Sequence, residues 1–192
     1  EETAEEPLLR VEIPIPDMLG IGFPVMSPAK SYMAFVGSDI GGLNGIYLRD
    51  MATGEIRHVE GSSDAGQREI AFSPDGSRLA YTRSVNNGLV TVSVPSGLPE
   101  VQLDSMRFAF WKSTDEVLMV NDKRGAGETY SYDLVSGELE EVDLKGESLQ
   151  EGRVNVWKTH IPGTDIAYGH QLVRSITGGV ANGDSRLMRS NL

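Results

Sequence analysis

The chain has 192 residues, 39% of them hydrophobic and 23% charged, which is typical of a folded globular protein and not of a disordered or fibrous one. Its formal net charge of −11 repels phosphate backbones and anionic lipid at long range, so we expect no nucleic-acid partner. The absence of Cys excludes disulfides, thiolate catalysis and Cys-ligated zinc, without fixing the compartment.

Twenty-two Gly and nine Pro are spread along the sequence, which favours short elements joined by turns and hence an all-β fold. No run reaches the roughly 18 to 20 apolar residues of a membrane span, so we expect no direct membrane insertion by this chain. Residue 1 is Glu and not Met, and we therefore expect a processed or excised piece of a longer protein.

The N-terminal part divides at about residue 8. Residues 1–7 are acidic and end at Pro7, and they are interpreted as a flexible lead or linker. From Leu9 to Ile15, apolar residues alternate with polar residues and prolines, which predicts a half-buried edge strand.

The stretch from Ile70 to Ser84 predicts a β-hairpin. Two strand-like segments flank the turn Ser73-Pro74-Asp75-Gly76. Proline presets φ at the first central position, aspartate can bond its own backbone, and glycine supplies positive φ.

This hairpin recurs along the chain. Ser27 to Phe35 matches Ser73 to Tyr81 at a displacement of 46 positions, Trp111 to Met119 follows in the same register, and Pro162 to Tyr168 is a fourth copy. A second marker is a glycine that follows a strand and a small polar residue, at positions 54, 97, 137 and 178, with spacings of 43, 40 and 41.

Two markers with one period indicate units of four short antiparallel strands, which is typical of β-propeller blades. The predicted units are roughly 8–60, 61–103, 104–146 and 147–192, so residues 8–192 form the repeat region. Because one blade cannot bury both of its faces, the blades must stack around an axis.

The segment Phe72 to Tyr81, with its aromatic-Ser-Pro-Asp-Gly turn and apolar strand, resembles the repeat of TolB-like, WD-repeat-like propellers. In that family the motif is structural and implies no site. Such propellers commonly have six blades, so about four units imply a fragment, a small propeller, or two chains that complete each other. An open blade edge would favour homo-oligomers.

A second resemblance concerns Arg10 to Pro16 followed by Ile46 to Asp50, which is similar to propellers that follow the membrane segment of bacterial serine/threonine kinases. It implies an outward-facing sensor portion in a periplasmic or extracellular setting. The chain carries neither a kinase Gly-rich loop with its Lys nor a kinase catalytic loop, so it cannot itself transfer phosphate.

Candidate metal sites are weak in this sequence. The histidines are His58, His160 and His170, and a site with Asp165 near the last two is a minor alternative to a polar turn. The loop from Asn121 to Glu128 departs from the alternating oxygen ligands of a calcium loop. We therefore predict no metal ligands and no cofactor.

Two glycine-rich stretches superficially resemble catalytic motifs. Gly61 to Gly66 has Ala65 where a nucleophile elbow requires Gly, and Gly41 to Gly45 lacks the Gly-Lys-Ser/Thr ending of a phosphate-binding loop. We interpret the first as a loop that links blades and the second as a hairpin loop, and we predict no catalytic residue.

Two further groups are interpreted structurally. Trp111 and Trp157 fall at near-equivalent blade positions, where packing between blades is favoured over an exposed contact surface. An acidic run is predicted to form the solvated face of an outer strand and its loop. Its residues are Glu138, Glu140, Glu141, Asp143, Glu147 and Glu151.

The sequence therefore predicts a non-catalytic β-propeller that binds a protein, peptide or small ligand, with the sensor part of a membrane kinase as its setting. Function in such a fold lies in the loops, but the sequence does not identify ligand-binding residues. The alternative is an accessory gating propeller of a prolyl oligopeptidase-like hydrolase whose catalytic domain is not in this chain.

Overall fold

The computed structural model describes residues 13–15, 17–121 and 128–142, with the backbone alone at 23, 67 and 68, and the backbones of strands at 153–160, 166–174 and 183–191. These residues form four antiparallel sheets that follow one another along the chain, and we call each sheet a blade. The described part contains no helix with the length and apolar character that crossing a lipid bilayer requires.

Each blade is a meander in which neighbouring strands follow chain order. Blade 1 contains β1 (Met18–Met26), β2 (Tyr32–Asp39), β3 (Asn44–Asp50) and β4 (Ile56–His58). Blade 2 contains β5 (Ala65–Phe72), β6 (Arg78–Arg83), β7 (Gly88–Ser93) and β8 (Pro99–Leu103). Blade 3 contains β9 (Arg107–Trp111), β10 (Glu116–Asn121), β11 (Glu128–Asp133) and β12 (Leu139–Glu141). In blade 4 the described strands are β13 (Arg153–His160), β14 (Ile166–Arg174) and β15 (Gly183–Asn191).

The first strands of the blades lie next to one another, because β1 contacts β5, β5 contacts β9, and β9 contacts β13. The antiparallel meander then gives the blades two distinct ends. Connections from first to second and from third to fourth strands lie at one end, which we call the turn face. Connections from second to third strands and from blade to blade lie at the other end, which we call the loop face.

The turn between β5 and β6 has the predicted geometry. The amide of Gly76 donates to the carbonyl of Ser73 at 2.9 Å, and Gly76 has φ of +77°. Asp75 accepts a hydrogen bond from the amide of Ser77 at 3.0 Å. Burial raises the pKa of Asp75, but hydrogen bonds from Ser73 and Ser77 outweigh this effect and lower it below its ordinary value.

The turn between β1 and β2 reproduces this geometry without the Asp-Gly pair. The amide of Lys30 donates to the carbonyl of Ser27 at 2.8 Å, and Lys30 has φ of +58°. The backbone of blade 1 therefore imposes on a lysine the left-handed conformation that Gly76 adopts in blade 2.

The turn between β9 and β10 departs from the predicted register. Phe72 pairs with Leu79 across the second turn, whereas Trp111 pairs with Val117 across the third. The third turn is thus one residue shorter, and Trp111 occupies the place of Phe72 and not that of Ser73. Without the Ser-Pro-Asp-Gly sequence, the amides of residues 112 and 113 both donate to the carbonyl of Glu116.

The second repeated marker also forms a repeated turn. Gly54, Gly97 and Gly137 have φ of +78°, +73° and +75°. Where the third strand ends in aspartate, at Asp50 and Asp133, the carboxylate accepts two backbone hydrogen bonds from the turn. These bonds hold the pKa of both carboxyl groups below its ordinary value.

Apolar side chains between successive blades form the core. The seam between blades 1 and 2 buries Ala34, Ile46, Leu48, Val59, Ile70, Leu79, Tyr81, Val90 and Val92. The seam between blades 2 and 3 buries Ala80, Leu89, Phe108, Trp111, Val117 and Met119. Since each fully buried large aliphatic side chain stabilises the fold by about 1.5 to 3 kcal/mol, the seams hold the blades together.

The strand predicted to end at Ile15 is wrong for its last three residues, because Ile13 to Ile15 lie outside any strand, and residues 9–12 lie outside the described part. Pro14 has no N–H to donate to a ladder, and its carbonyl instead accepts a hydrogen bond from Arg49. Ile13 and Ile15 pack on the face of blade 1 that points away from blade 2, against Met33, Phe35 and Tyr47.

Candidate binding clefts on the loop face

Two clefts lie at the loop-face ends of the two seams. The first lies between blades 1 and 2 and has a volume of about 460 Å³. Its lining includes Gly20, Gly22, Gly37 and Gly45 and contains no charged side chain among the described residues. We call it the glycine-lined cleft.

The second cleft lies between blades 2 and 3, has a volume of about 360 Å³, and is chemically different. Three charged side chains line it: Glu69, Arg83 and Arg107. The lining also includes the neutral polar residues Thr82, Ser84 and Asn87. We call it the charged cleft.

Two ion pairs organise the charged cleft. Arg83 Nε lies 2.8 Å from Asp64 Oδ2, and Arg107 Nη1 lies 2.6 Å from Glu69 Oε1. The second pair crosses the seam, because Glu69 belongs to β5 and Arg107 to β9. The exposed fractions of these four side chains lie between 18% and 32%, so the pairs are only partly screened by water.

The electrostatics keep the cleft charged at neutral pH. The hydrogen bond to Asp64 and the charge of that carboxylate raise the pKa of Arg83 above its ordinary value. Below the cleft, burial and the charge of Asp64 raise the pKa of Tyr81 to about 12. Tyr81 is therefore neutral, and Arg83 is the permanent positive charge beside it.

Buried hydroxyl groups fix the loop face beneath both clefts. Ser62 accepts a hydrogen bond from the amide of Ile46 at 2.8 Å and donates to the carbonyl of Val59 at 2.6 Å. At the next seam, Thr82 accepts a hydrogen bond from the amide of Phe108 at 3.0 Å. Each hydroxyl joins a loop or strand to its neighbour, so the clefts rest on a fixed base.

The two glycine-rich stretches form the predicted kinds of loop. Of the stretch Gly41 to Gly45, the first three residues lie in the connection between β2 and β3, where Asp39 accepts a hydrogen bond from the amide of Leu43 at 2.9 Å, and the last two begin β3. Gly61 to Gly66 leads from blade 1 into blade 2, and its Ser62 is fully buried in the hydrogen bonds described above.

His58 lies in blade 1, whereas positions 160 and 170 belong to paired strands of blade 4. His58 Nε2 is 3.2 Å from the carbonyl oxygen of Asn44, and its ring packs edge-on against Tyr47 with centroids 5.1 Å apart. In the backbone ladder, position 160 pairs with 167 and position 170 with 156, whereas the side chains of both histidines and Asp165 lie outside the described residues. Among the described residues, no group of three or more potential ligands could hold a metal ion.

Trp111 packs between blades, as predicted. Its Nε1 donates to the carbonyl of Ala71 in blade 2 at 3.0 Å, and its ring lies edge-on to Phe108 with centroids 6.2 Å apart. The side chain of Trp157 lies outside the described residues.

Other predictions fall partly beyond the described residues. The exposed outer strand β12 carries Glu140 and Glu141, and Glu138 is also exposed, whereas Asp143, Glu147 and Glu151 are not described. Positions 122–127 of the candidate calcium loop, the predicted glycine at 178 and the turn of the fourth copy at 162–165 also lie outside the described part.

Sequence analysis did not identify the residues of the charged cleft. Glu69 and Arg107 are 38 positions apart and meet only because blades 2 and 3 pack together. One signal was present in the repeat itself: Arg83 occupies the place that Gly37 has 46 positions earlier. Blade 1 requires glycine at this position, because a Cβ on Gly37 would lie 2.7 Å from the carbonyl oxygen of Gly20, whereas blade 2 accommodates an arginine there.

No family model matches the chain, and no curated protein matches it. Several solved structures, however, are similar to the chain in fold. TolB from Acinetobacter baumannii is 17% identical, with a TM-score of 0.53 over 89% of this chain and 44% of that one. A putative TolB from Agrobacterium tumefaciens is 13% identical, with a TM-score of 0.59 over 87% and 60%. Puromycin hydrolase is 16% identical, with a TM-score of 0.61 over 84% and 26%.

These similarities concern the fold, because all three identities are low. The chain spans between 44% and 60% of the two TolB structures. Their likeness and the four antiparallel sheets lead to one structural conclusion. The chain has an all-β, β-propeller fold with about four blades.

Proposed function

We propose that this chain is a non-catalytic binding module that recognises a protein, peptide or small ligand through the clefts of its loop face. The observation that carries the proposal is the charged cleft. Scaffold seams require apolar side chains, yet this one ends in a cavity of about 360 Å³ lined by Glu69, Arg83 and Arg107, with Asp64 paired to Arg83 beside it. Partly buried charges that stabilise no core are favoured where a ligand must be recognised.

The experiment compares the two faces of the blades. The purified chain and two variants are screened against peptide arrays and envelope extracts. Arg83→Gln alters the charged cleft, whereas Arg78→Gln removes the turn-face ion pairs to Glu100 and Asp115. We expect captured ligands to be lost with Arg83→Gln and retained with Arg78→Gln. Equal retention by both variants would contradict the proposal.

We further propose a periplasmic or extracellular setting, with a membrane serine/threonine kinase as the tether. The resemblance of the repeat and of residues 10–16 to such propellers supports this setting. A full reading frame with a kinase domain and a membrane span upstream is the expected result, and a frame without either would contradict it.

The second candidate is the gating propeller of a hydrolase, favoured by the structural likeness to puromycin hydrolase over 84% of this chain. A hydrolase domain downstream in the reading frame would support this candidate over the kinase-linked sensor. The two functions predict different domains beside this chain, so the sequence of the full reading frame decides between them.

Association of copies through blade edges is a third proposal. Ile13 and Ile15 cover part of the free face of blade 1, while its first strand exposes Leu19 by 70% and, in the glycine-lined cleft, Ile21 by 46%. Light scattering is expected to show an oligomer. A stable monomer would contradict this proposal.

A further inference from the structure

We propose that the charged cleft binds a small zwitterion: an α-amino acid or a short peptide with a free ammonium group and a free carboxylate. This inference rests on the proposed function, because it names the ligand of the same cleft. It follows from what each charged group of the cleft still offers to a ligand.

Arg83 offers a carboxylate site. Its Nε is used by Asp64 at 2.8 Å, and its two Nη atoms have no hydrogen-bond acceptor among the described residues. Paired N–H donors at the end of a guanidinium match the two oxygens of a carboxylate. Asp64 holds the side chain in place, so little conformational entropy is lost when a ligand binds.

Glu69 offers the complementary site. Oε1 accepts from Arg107 Nη1 at 2.6 Å, whereas Oε2 has no donor among the described residues. A ligand ammonium group can donate to this second oxygen. The bond to Arg107 keeps Glu69 positioned across the seam.

The balance of charge selects between ligand classes. Arg83 and Arg107 face the carboxylates of Asp64 and Glu69, and the charge of Asp104 also acts on Arg83. Among the side chains that the structure describes in and next to the cleft, these three carboxylates and two guanidinium groups give a net charge of −1. A ligand with only a carboxylate adds to this excess, and a ligand with only an ammonium group leaves the Arg83 Nη atoms unused. A zwitterion satisfies both groups without changing the total.

The cavity limits the size of the ligand. A volume of about 360 Å³ is near the lower end of the roughly 300 to 1,000 Å³ of small-molecule sites. Ser84 and Asn87 on the rim provide neutral polar groups, as needed for the peptide unit between the two charges. The glycine-lined cleft has no charged lining and is not expected to share this preference.

The test is a calorimetric titration with L-alanyl-L-alanine, its N-acetyl form, its C-terminal amide and the form blocked at both ends. Free L-alanine is an additional ligand that distinguishes amino acids from peptides. We expect saturable binding of the dipeptide or of alanine, and a loss of roughly tenfold or more in affinity when either charge is blocked. Equal affinity of the blocked forms, or no saturable binding of any zwitterion at millimolar concentrations, would overturn the proposal.

Variants locate the binding site. Arg83→Lys keeps a positive charge near Asp64 but removes the paired Nη donors, and Glu69→Gln keeps an acceptor for Arg107 but removes the negative charge. Either is expected to weaken dipeptide binding roughly tenfold. Arg78→Lys is the matched control, because Arg78 is likewise a partly buried arginine held by ion pairs, at 2.8 and 2.7 Å, but on the turn face.

Melting temperatures of all three variants separate a local effect from unfolding. If Arg83→Lys does not fold, Glu69→Gln still tests the proposal. Equal losses with Arg78→Lys and the cleft variants would overturn it. If an end-blocked peptide from the array binds and is lost with Arg83→Lys, the zwitterion is wrong but the binding module stands.

Discussion

On the turn face, Ser27 and Ser73 make the same three hydrogen bonds in two different blades, whereas on the loop face the corresponding seams end in clefts of different chemistry. Each serine accepts a side-chain bond from the amide five residues later, at 3.0 Å in both turns. Its amide donates to the carbonyl of that same residue at 2.9 Å, and its carbonyl accepts from residue 30 or 76 at 2.8 or 2.9 Å. Within the described residues, the loop face repeats no comparable set of side-chain hydrogen bonds.

We interpret this difference as a division of roles: the turn-face residues serve folding, and the loop-face residues serve recognition. The turn-face residues meet the same backbone requirements in blades 1 and 2, so their sequence recurs and a single chain reveals it. On the loop face, the fold requires only that the seam beneath it stays closed. Hydrogen bonds of Ser62 and Thr82 to backbone amides meet this requirement at the two seams. The remaining loop-face positions differ between blades: a Cβ on Gly37 would lie 2.7 Å from the carbonyl oxygen of Gly20 in blade 1, whereas blade 2 has Arg83 at the same place.

The largest effect is expected where the turn-face repeat fails. Blade 3 lacks the buried serine, and Trp111 instead bonds to the carbonyl of Ala71 across the seam. Trp111 is only 6% exposed. Trp111→Ala should lower the free energy of unfolding by about 3 to 5 kcal/mol, measured by chemical denaturation, because it leaves a large cavity.

Leu98→Ala is the control for this substitution, since Leu98 lies on the turn face and is 57% exposed. Its expected effect is within about 0.5 kcal/mol. A loss below about 1 kcal/mol for Trp111→Ala would show that the seam between blades 2 and 3 does not depend on this side chain.

A smaller loss is expected at the best-preserved turn. Gly76 has φ of +77°, and a Cβ there would lie 3.4 Å from Pro28 Cδ in blade 1. Gly76→Val places a β-branched side chain in the left-handed region and crowds the neighbouring turn, so it should cost about 1 to 3 kcal/mol. Gly76→Ala is the control and should cost less. An unchanged melting temperature for Gly76→Val would contradict the turn assignment.

The sequence predicted the blades because their signals are local. Pro74, Asp75 and Gly76 determine a turn by their own chemistry, and alternation determines the strands beside it. The charged cleft could not be predicted, because Glu69 and Arg107 meet only after two blades have packed. The strand expected up to Ile15 failed for a different reason: alternation was present, but a proline lacks the donor that a ladder requires.

The smallest effect tests whether the turns of blades 1 and 2 both require a positive φ, at Lys30 and at Gly76. Lys30 has φ of +58°, which costs a residue with a Cβ about 1 to 2 kcal/mol, whereas the extra freedom of glycine in the unfolded chain costs about 0.5 to 1 kcal/mol. Lys30→Gly should therefore stabilise the chain by roughly 0.5 kcal/mol in chemical denaturation. Ser31→Gly, one position later and without positive φ, should destabilise it. If Lys30→Gly destabilises as much as Ser31→Gly, the turn of blade 1 does not impose the conformation of Gly76, and the equivalence of the turn faces is wrong.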